Sequence, residues 1–303
     1  MCPVFYTFKQ FHLFSHAFGP FYIHAYGVML ALAFIGGLFL LVHEAQKADL
    51  KPEDMIDMTI LIIIFSIIGG RIMYVLLSMD EYSSNPLSAM KIYEGGLSFH
   101  GGAIGGFLAA FLFAWRRKLS SWRIIDAGIP AVVLGAAIAR WGCFLNGCCY
   151  GRAWSGPWAV VFPSLQDNIP RHPAQLYDSF LHLALLALLF SLKRARRKEG
   201  DMFGFYLMGF SILRFITEIF RSGVTGKLFL GTPITMAQAA SFLIFAIGLA
   251  FYLLPPGKIP GTVAFSAAGS APTPAPAKAM GKSAASAKKK PKNNSSKPKK
   301  QKR

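Results

Sequence analysis

Residues Ile56–Ser78 read IDMTILIIIFSIIGGRIMYVLLS. Asp57 and Arg71 are the two charges in this run, and the apolar residues between them circle every face of a helix. A helix apolar on all sides is buried in a large core or in a bilayer. At 1.5 Å per residue, about 20 apolar residues cross a hydrocarbon layer of about 30 Å. The run therefore predicts a membrane span, and 175–192 and 234–254 repeat the pattern. Working outward, 22–42, 97–115, 124–145 and 202–220 give shorter or more glycine-rich versions, for about seven spans in all. The whole chain agrees: of 303 residues, 53% are hydrophobic and 15% charged, and the mean hydropathy is +0.42. That balance excludes an ordinary soluble domain. The expected fold is all-α, a polytopic membrane protein over residues 1–255.

Loop charge predicts the orientation, because cytoplasmic loops collect Lys and Arg. Arg116, Arg117, Lys118 and Arg123 form one basic segment, and Lys193, Arg194, Arg196, Arg197 and Lys198 another. In a seven-span order both fall on one side, together with the C-terminus. The C-terminus is thus expected in the cytoplasm and the N-terminus outside. The loops near 79–96, 146–174 and 221–233 then face outward.

The net charge of +18 suggests a nucleic-acid partner at first sight. Much of that excess lies in residues 256–303, rich in Ala, Pro, Ser and Lys and ending in Lys297–Arg303. Such a segment cannot bury a core and is expected to be disordered. Its expected partner is the anionic lipid headgroup, which attracts basic segments beside a membrane; no nucleic acid is expected. The start of the chain shows no basic region followed by a cleavage site, so the first span is expected to act as its own signal. The four cysteines do not spell a disulfide framework. Cys143, Cys148 and Cys149 cluster, but their spacing is not a usual zinc pattern, and a vicinal disulfide would be strained. No metal is expected.

Arg71, Arg140, Arg214 and Glu218 fall in or at the ends of apolar segments. Each mid-span charge costs about 2.5–3.5 kcal/mol on insertion scales, so a partner or a function must offset it. Arg214 and Glu218 are four apart and can pair, and Arg221 lies three further on along the same stripe. Arg140 has no carboxylate near in sequence, which points to an external anion. For Arg71, after Gly69 and Gly70, helix packing or pairing stands beside a functional role.

Gly95–Gly106 reads GGLSFHGGAIGG, with His100 the ionisable group at its centre. Glycines allow close approach of backbones or of a ligand, and a helix start attracts anions. A histidine there accepts a proton near neutral pH, or sits bonded to a carbonyl. A second histidine motif, RHPAQLYD over Arg171–Asp178, opens the fifth span. Pro173 suits a first helical turn, and Gln175, Tyr177 and Asp178 would orient polar groups at the interface.

Five stretches together resemble one family, the bacterial prolipoprotein diacylglyceryl transferases. They are IHAYG at Ile23–Gly27, GGLSFHGG at Gly95–Gly102, ARWGCFLNGCCYGR at Ala139–Arg152, RHPAQLY at Arg171–Tyr177 and RFITEIFR at Arg214–Arg221. They occur in the family's order over about residues 20–254. The family signature usually has glycine where this chain has Ala139, asparagine at Cys143 and glutamate at Cys148. Either Cys143 takes a lesser role, or the chain belongs to a subgroup that positions its substrate differently, or it is a paralogue that has lost activity.

The resemblance implies transfer of the diacylglyceryl group of phosphatidylglycerol onto the lipobox cysteine of prolipoprotein signal peptides. A thioether forms, glycerol phosphate leaves, and no cofactor is needed. It implies an inner-membrane enzyme with its site toward the outer leaflet. The thiol must become a thiolate; with a free pKa of about 8.5 the penalty at neutral pH is about 2 kcal/mol. His100 is the expected base. The departing phosphate gains charge, which cations stabilise more in the transition state than before it. Arg140 and Arg214 are the expected cations, since guanidinium matches phosphate oxygens in pairs. Tyr26, Asn146, Gly151, Glu218 and Arg221 are expected to line the headgroup pocket. The rival from another class is a transporter or channel for an anionic substrate, which would use the arginines without a base. A different lipid-headgroup transferase is the second rival.

Overall fold

The computed structural model describes residues 24–82, 88, 90, 95–221, 234–255 and 257–258, and the backbone of short strands before residue 24. Glu94, Cys2, most of the 221–233 loop and the tail beyond residue 258 lie outside the described residues, and with them the expected tail disorder and lipid contact. Ahead of the first helix, β1 (Val4–Phe8) pairs with β4 (Phe21–His24), and β2 (Phe11–Leu13) with β3 (His16–Phe18). Helix α1 (Ala25–Gln46) therefore starts three residues later than hydropathy suggests.

The remaining helices are α2 (Pro52–Leu77), the short α3 (Met79–Tyr82), α4 (Phe99–Arg117), α5 (Ser121–Asn146), α6 (Ala174–Leu192), α7 (Asp201–Phe220) and α8 (Met236–Leu253). A two-residue ribbon, β5 (Val160–Val161) with β6 (Pro170–Arg171), sits in the connection between α5 and α6. The seven long helices coincide with the seven apolar runs. Six are long and apolar enough to cross a membrane. The other is α4, whose first half carries His100 and four glycines and whose end carries Arg116 and Arg117.

The protein is a multi-pass helical membrane protein, and burial supports this. In α2 only 11% of the most apolar window is buried within the protein, and Ile60, Ile64, Ile68 and Ile72 stand exposed. In water so large an apolar face would be a liability; in lipid it is the expected surface. Inside, α5 is the shared element. One cluster joins Leu41, Met55, Phe113 and Ile124 from α1, α2, α4 and α5. A second joins Val133, Leu189, Phe205 and Leu213 from α5, α6 and α7.

The glycine run around His100 serves packing. A Cβ on Gly69 would stand 2.5 Å from the Gly101 carbonyl oxygen, and Cβ atoms on Gly101 and Gly105 would run into the carbonyls of Gly69 and Phe65. Backbone thus lies on backbone between α2 and α4, as small residues permit in a bilayer. Arg71 is committed to the same junction. It is buried and donates to the carbonyl oxygens of Gly95 at 2.6 Å, Gly96 at 3.1 Å and Ser88 at 3.0 Å. These bonds tie the end of α2 to the segment that leads into α4.

The basic segments gather at one end of the bundle. Arg123 pairs with Glu199 at 2.5 Å, and the Ser120 hydroxyl donates to the same carboxylate at 2.8 Å. Buried Lys198 pairs with Asp201 at 2.6 Å and donates to the Phe251 carbonyl at 3.0 Å. The last turn of α8 therefore closes on the loop before α7.

Candidate functional site: an arginine and cysteine cluster

The opposite end carries the groups of interest. Arg140, one and a half turns before the end of α5, pairs through Nε with Asp178 Oδ2 of α6 at 2.5 Å. No carboxylate is near Arg140 in sequence, but the fold supplies one, so an external anion is not its sole partner. The partner lies far along the chain but one helix away, and a Ser179 hydroxyl bond to the Ala137 carbonyl, at 2.8 Å, seats the two helices together. The pair engages Nε; among the described residues no hydrogen bond is made by the two Nη groups. Asp178 is itself steadied by His182, whose Nδ1 lies 3.4 Å from Oδ1.

Arg214 pairs with Glu218 one turn on, Nη2 to Oε2, at 3.0 Å, as their spacing predicted. Both side chains are mostly buried, at 24% and 3% exposure. Arg140, Asp178 and Arg221 all lie within electrostatic range of Arg214. Arg221 is not on the helical stripe expected for it. Helix α7 ends at Phe220, and Arg221 is extended, with φ −77° and ψ 150°, bridging antiparallel to Gly151.

Gly151 makes that closure possible. It is buried, and a Cβ there would meet the Phe220 carbonyl oxygen at 2.5 Å and the His172 Cβ at 2.6 Å. Its amide donates to the His172 carbonyl at 2.9 Å. The glycine is a wedge point where the loop after α5, the start of α6 and the end of α7 meet. Tyr26 approaches from α1: a Cβ on Gly142 would touch its ring at 3.1 Å. Tyr26 lies within electrostatic range of Arg140 and of all three cysteines.

The rest of the RHPAQLYD motif ties the start of α6 to the loop after α5. His172 stacks on Trp154 with ring centroids 4.3 Å apart, and its Nδ1 lies 3.1 Å from the Tyr177 hydroxyl. Trp158 donates to that hydroxyl at 2.7 Å. Burial, then the neighbouring Arg152 charge, pushes the His172 imidazole below its ordinary pKa. Gln175 is buried and donates to the Cys148 carbonyl at 2.6 Å.

The sulfurs of Cys143, Cys148 and Cys149 converge within 4.8 Å of one another. Helix α5 ends in a left-handed Gly147 at φ 73°, which returns the Cys148 amide to the Cys143 carbonyl at 3.1 Å. Cys149 then adopts φ 63°. Asn146, exposed at the last position of α5, contributes a side-chain hydrogen bond to Cys148. Hydrogen bonding from the Cys143 thiol, then the Cys148 thiol and the charges of Arg221 and Arg140, holds the Cys149 thiol below the usual range.

The structure does not bring His100 into this cluster. It is exposed in the first turn of α4, edge-on to Phe99 at 5.9 Å. Among the described residues no ion pair, hydrogen bond or ring contact joins it to Arg140, Arg214 or the cysteines. It shares their end of the bundle, since the other end of α4 meets the start of α2 through Arg117 and Asp54 at 3.3 Å. Asp178 and Gln175 were underread in sequence. Their signal was an amide and an acid within the first five residues of an apolar helix, where a polar group needs a partner.

Fold and site together define a multi-pass membrane protein that gathers the guanidinium groups of Arg140, Arg214 and Arg221 at one end of its helices, the first two paired with carboxylates. The family model for prolipoprotein diacylglyceryl transferase matches residues 13–254. Among curated relatives, a phosphatidylglycerol–prolipoprotein diacylglyceryl transferase of Bordetella avium is 36% identical over 253 residues, covering 82% of this chain and 96% of its own. The similarly named protein of Geobacter sulfurreducens is 35% identical, covering 76% and 89%. That of Bacillus mycoides is 33% identical, covering 78% and 89%. The chain belongs to the prolipoprotein diacylglyceryl transferase family.

Proposed function

We propose that this protein transfers the diacylglyceryl group of phosphatidylglycerol to the lipobox cysteine thiol of prolipoproteins, releasing glycerol phosphate. Membership of the family and the names of its relatives support the transferase activity. The observation that carries the site is the grouping of Arg140 and Arg214 beside Arg221. Asp178 holds Arg140 by Nε, which leaves the Nη donors available to a second anion. Arg214, tethered to Glu218, supplies the second cation. As the phosphodiester becomes a monoester its charge rises, and fixed guanidinium groups stabilise that change without reorganising. Tyr26, Asn146 and Gly151 line or shape the headgroup pocket.

The chain crosses the bilayer seven times, with α4 as the weakest span. The N-terminus and the arginine cluster face the periplasmic or outer leaflet, and the basic end and tail face the cytoplasm and its anionic lipids. This placement is supported by the clustering of Arg123, Lys198 and the end of α8 at one end, by the positive-inside rule. His100, on the α4 rim at the site's end of the bundle, is assigned the thiol proton on its chemical type. The transporter or channel reading has no finding in its favour.

The test is transfer in detergent from phosphatidylglycerol to a lipoprotein precursor, read as a mobility shift. Complementation of a strain depleted of its own transferase, with and without Cys143→Asn, gives the cellular counterpart. A protein that folds but gives neither shift nor rescue sinks the proposal.

A further inference from the structure

We propose that Cys149 and Cys143 are a thiol–disulfide pair, closed by exchange with a disulfide of the outer compartment, and that closing it strengthens the hold of Arg140 and Arg221 on the lipid phosphate. The inference rests on the transferase reading above and adds a modification site to it. The sulfurs of Cys143, Cys148 and Cys149 lie within 4.8 Å of one another, which allows three pairings. Cys148 with Cys149 would close a strained vicinal ring. Cys148 is also committed elsewhere. Its thiol donates to the Cys143 carbonyl at 3.7 Å, its own carbonyl is held by Gln175 at 2.6 Å, and a side-chain bond joins it to Asn146. Cys149 is the exposed member and Cys143 is half-buried, and the Cys143 thiol hydrogen-bonds to Cys149. A disulfide is about 2.05 Å long, so the gap to close is at most about 2.8 Å, within the sweep of a sulfur turning between staggered rotamers.

Reactivity singles out the same pair. The attacking species in disulfide exchange is a thiolate. The Cys143 hydrogen bond, and then the charges of Arg221 and Arg140, favour that form of Cys149. Its exposed sulfur attacks one sulfur of the incoming disulfide; that S–S bond breaks and a first thiolate leaves. Cys143 gives its proton to the leaving thiolate, and its sulfur attacks the Cys149 sulfur. The mixed disulfide breaks and a second thiolate leaves. Two cysteines are oxidised and one external disulfide is reduced to two thiols, so the step balances. Disulfides persist in the oxidising compartments outside the cytoplasm, which is where the transferase reading places this end of the bundle.

The pair sits where its charge matters. Cys143 lies one turn beyond Arg140 on α5. Cys149 lies two residues before Gly151, which bridges to Arg221. As a thiolate, Cys149 is an anion within electrostatic range of both guanidinium groups, and it competes with a substrate phosphate for their charge. A disulfide carries no charge. Oxidation therefore removes the competing anion and leaves Arg140 and Arg221 to the phosphate. The thioether chemistry itself, and the proton assigned to His100, are untouched by the exchange.

The experiment uses full-length protein in detergent, equilibrated with oxidised and reduced glutathione at a series of ratios and then freed of glutathione. Remaining thiols are alkylated, and the chain is cut after Phe144 and mapped by mass spectrometry. A link joining Cys143 to Cys149, with Cys148 alkylated, is expected at oxidising ratios and is lost at reducing ones. KM for phosphatidylglycerol should be at least threefold lower in the oxidised protein, with kcat little changed. Cys149→Ser, neutral at every ratio, should show a single KM throughout; the wild-type map and kinetics stand whether or not that variant folds. No link, a link through Cys148, one KM for both wild-type forms, or a serine variant that still responds would each overturn the inference while leaving the transferase reading intact. Absence of transfer by oxidised and reduced protein alike would instead strike the transferase reading, and with it the effect on KM.

Discussion

Arg140→Lys keeps the charge and removes the fork, and the structure says what that should do. Arginine meets Asp178 through Nε at 2.5 Å and keeps its Nη groups for a second anion. Lysine has one nitrogen. It either satisfies Asp178 and abandons the phosphate, or reaches the phosphate and leaves a carboxylate 7% exposed without its partner. A hydrogen bond to a charged group contributes about 1.5–3 kcal/mol. At about 1.36 kcal/mol per tenfold, losing one such contact slows transfer by about ten- to 150-fold. The assay is kcat/KM for a fluorescent lipobox peptide with phosphatidylglycerol in mixed micelles, alongside Asp178→Asn and the double variant. Because the lysine already fails to serve both partners, the double variant should lose less than the product of the two single losses. A lysine variant within about threefold of wild type would refute the bidentate role.

Other outcomes follow from the same geometry. Gly151→Ala should lose about 1–3 kcal/mol of stability, as overpacked sites do, because its Cβ meets the Phe220 carbonyl oxygen at 2.5 Å; a lowered melting temperature and lost transfer check it. His100→Asn should slow transfer less as pH rises toward about 9, where the substrate thiol ionises unaided; a constant deficit would mark a positional role. His172 has its folded pKa depressed, first by burial, so the unfolded chain takes up the proton first. Its stabilising contribution is present above the unfolded value of about 6.5 and is lost as pH falls below it. Melting temperatures near pH 7.5 and 5.5 should therefore differ more in wild type than in His172→Asn, about these pKa limits; equal differences would dismiss the effect.

The sequence by itself determined the helices and one ion pair of the candidate site. Hydropathy is a local property, so runs such as Ile56–Ser78 announced their spans within a few residues, and the four-residue spacing of Arg214 and Glu218 announced their pair. The order of the arginine and histidine motifs was enough to identify the family resemblance. Tertiary structure decided what depends on contacts between distant segments. Asp178 reaches Arg140 because α6 packs on α5, which no spacing along one helix reveals. The glycines around His100 read equally well as a ligand cradle and as a helix contact until Gly69 and Gly101 were seen face to face. Arg221 looked like a helical residue and proved to be an extended one, since Gly151 binds the chain there. The three sulfurs, unconvincing as a pattern of letters, converge because a left-handed turn at Gly147 folds Cys148 back over Cys143. Side chains separated in sequence acquire chemistry only when the backbone brings them within a few ångströms, and that distance is set by packing.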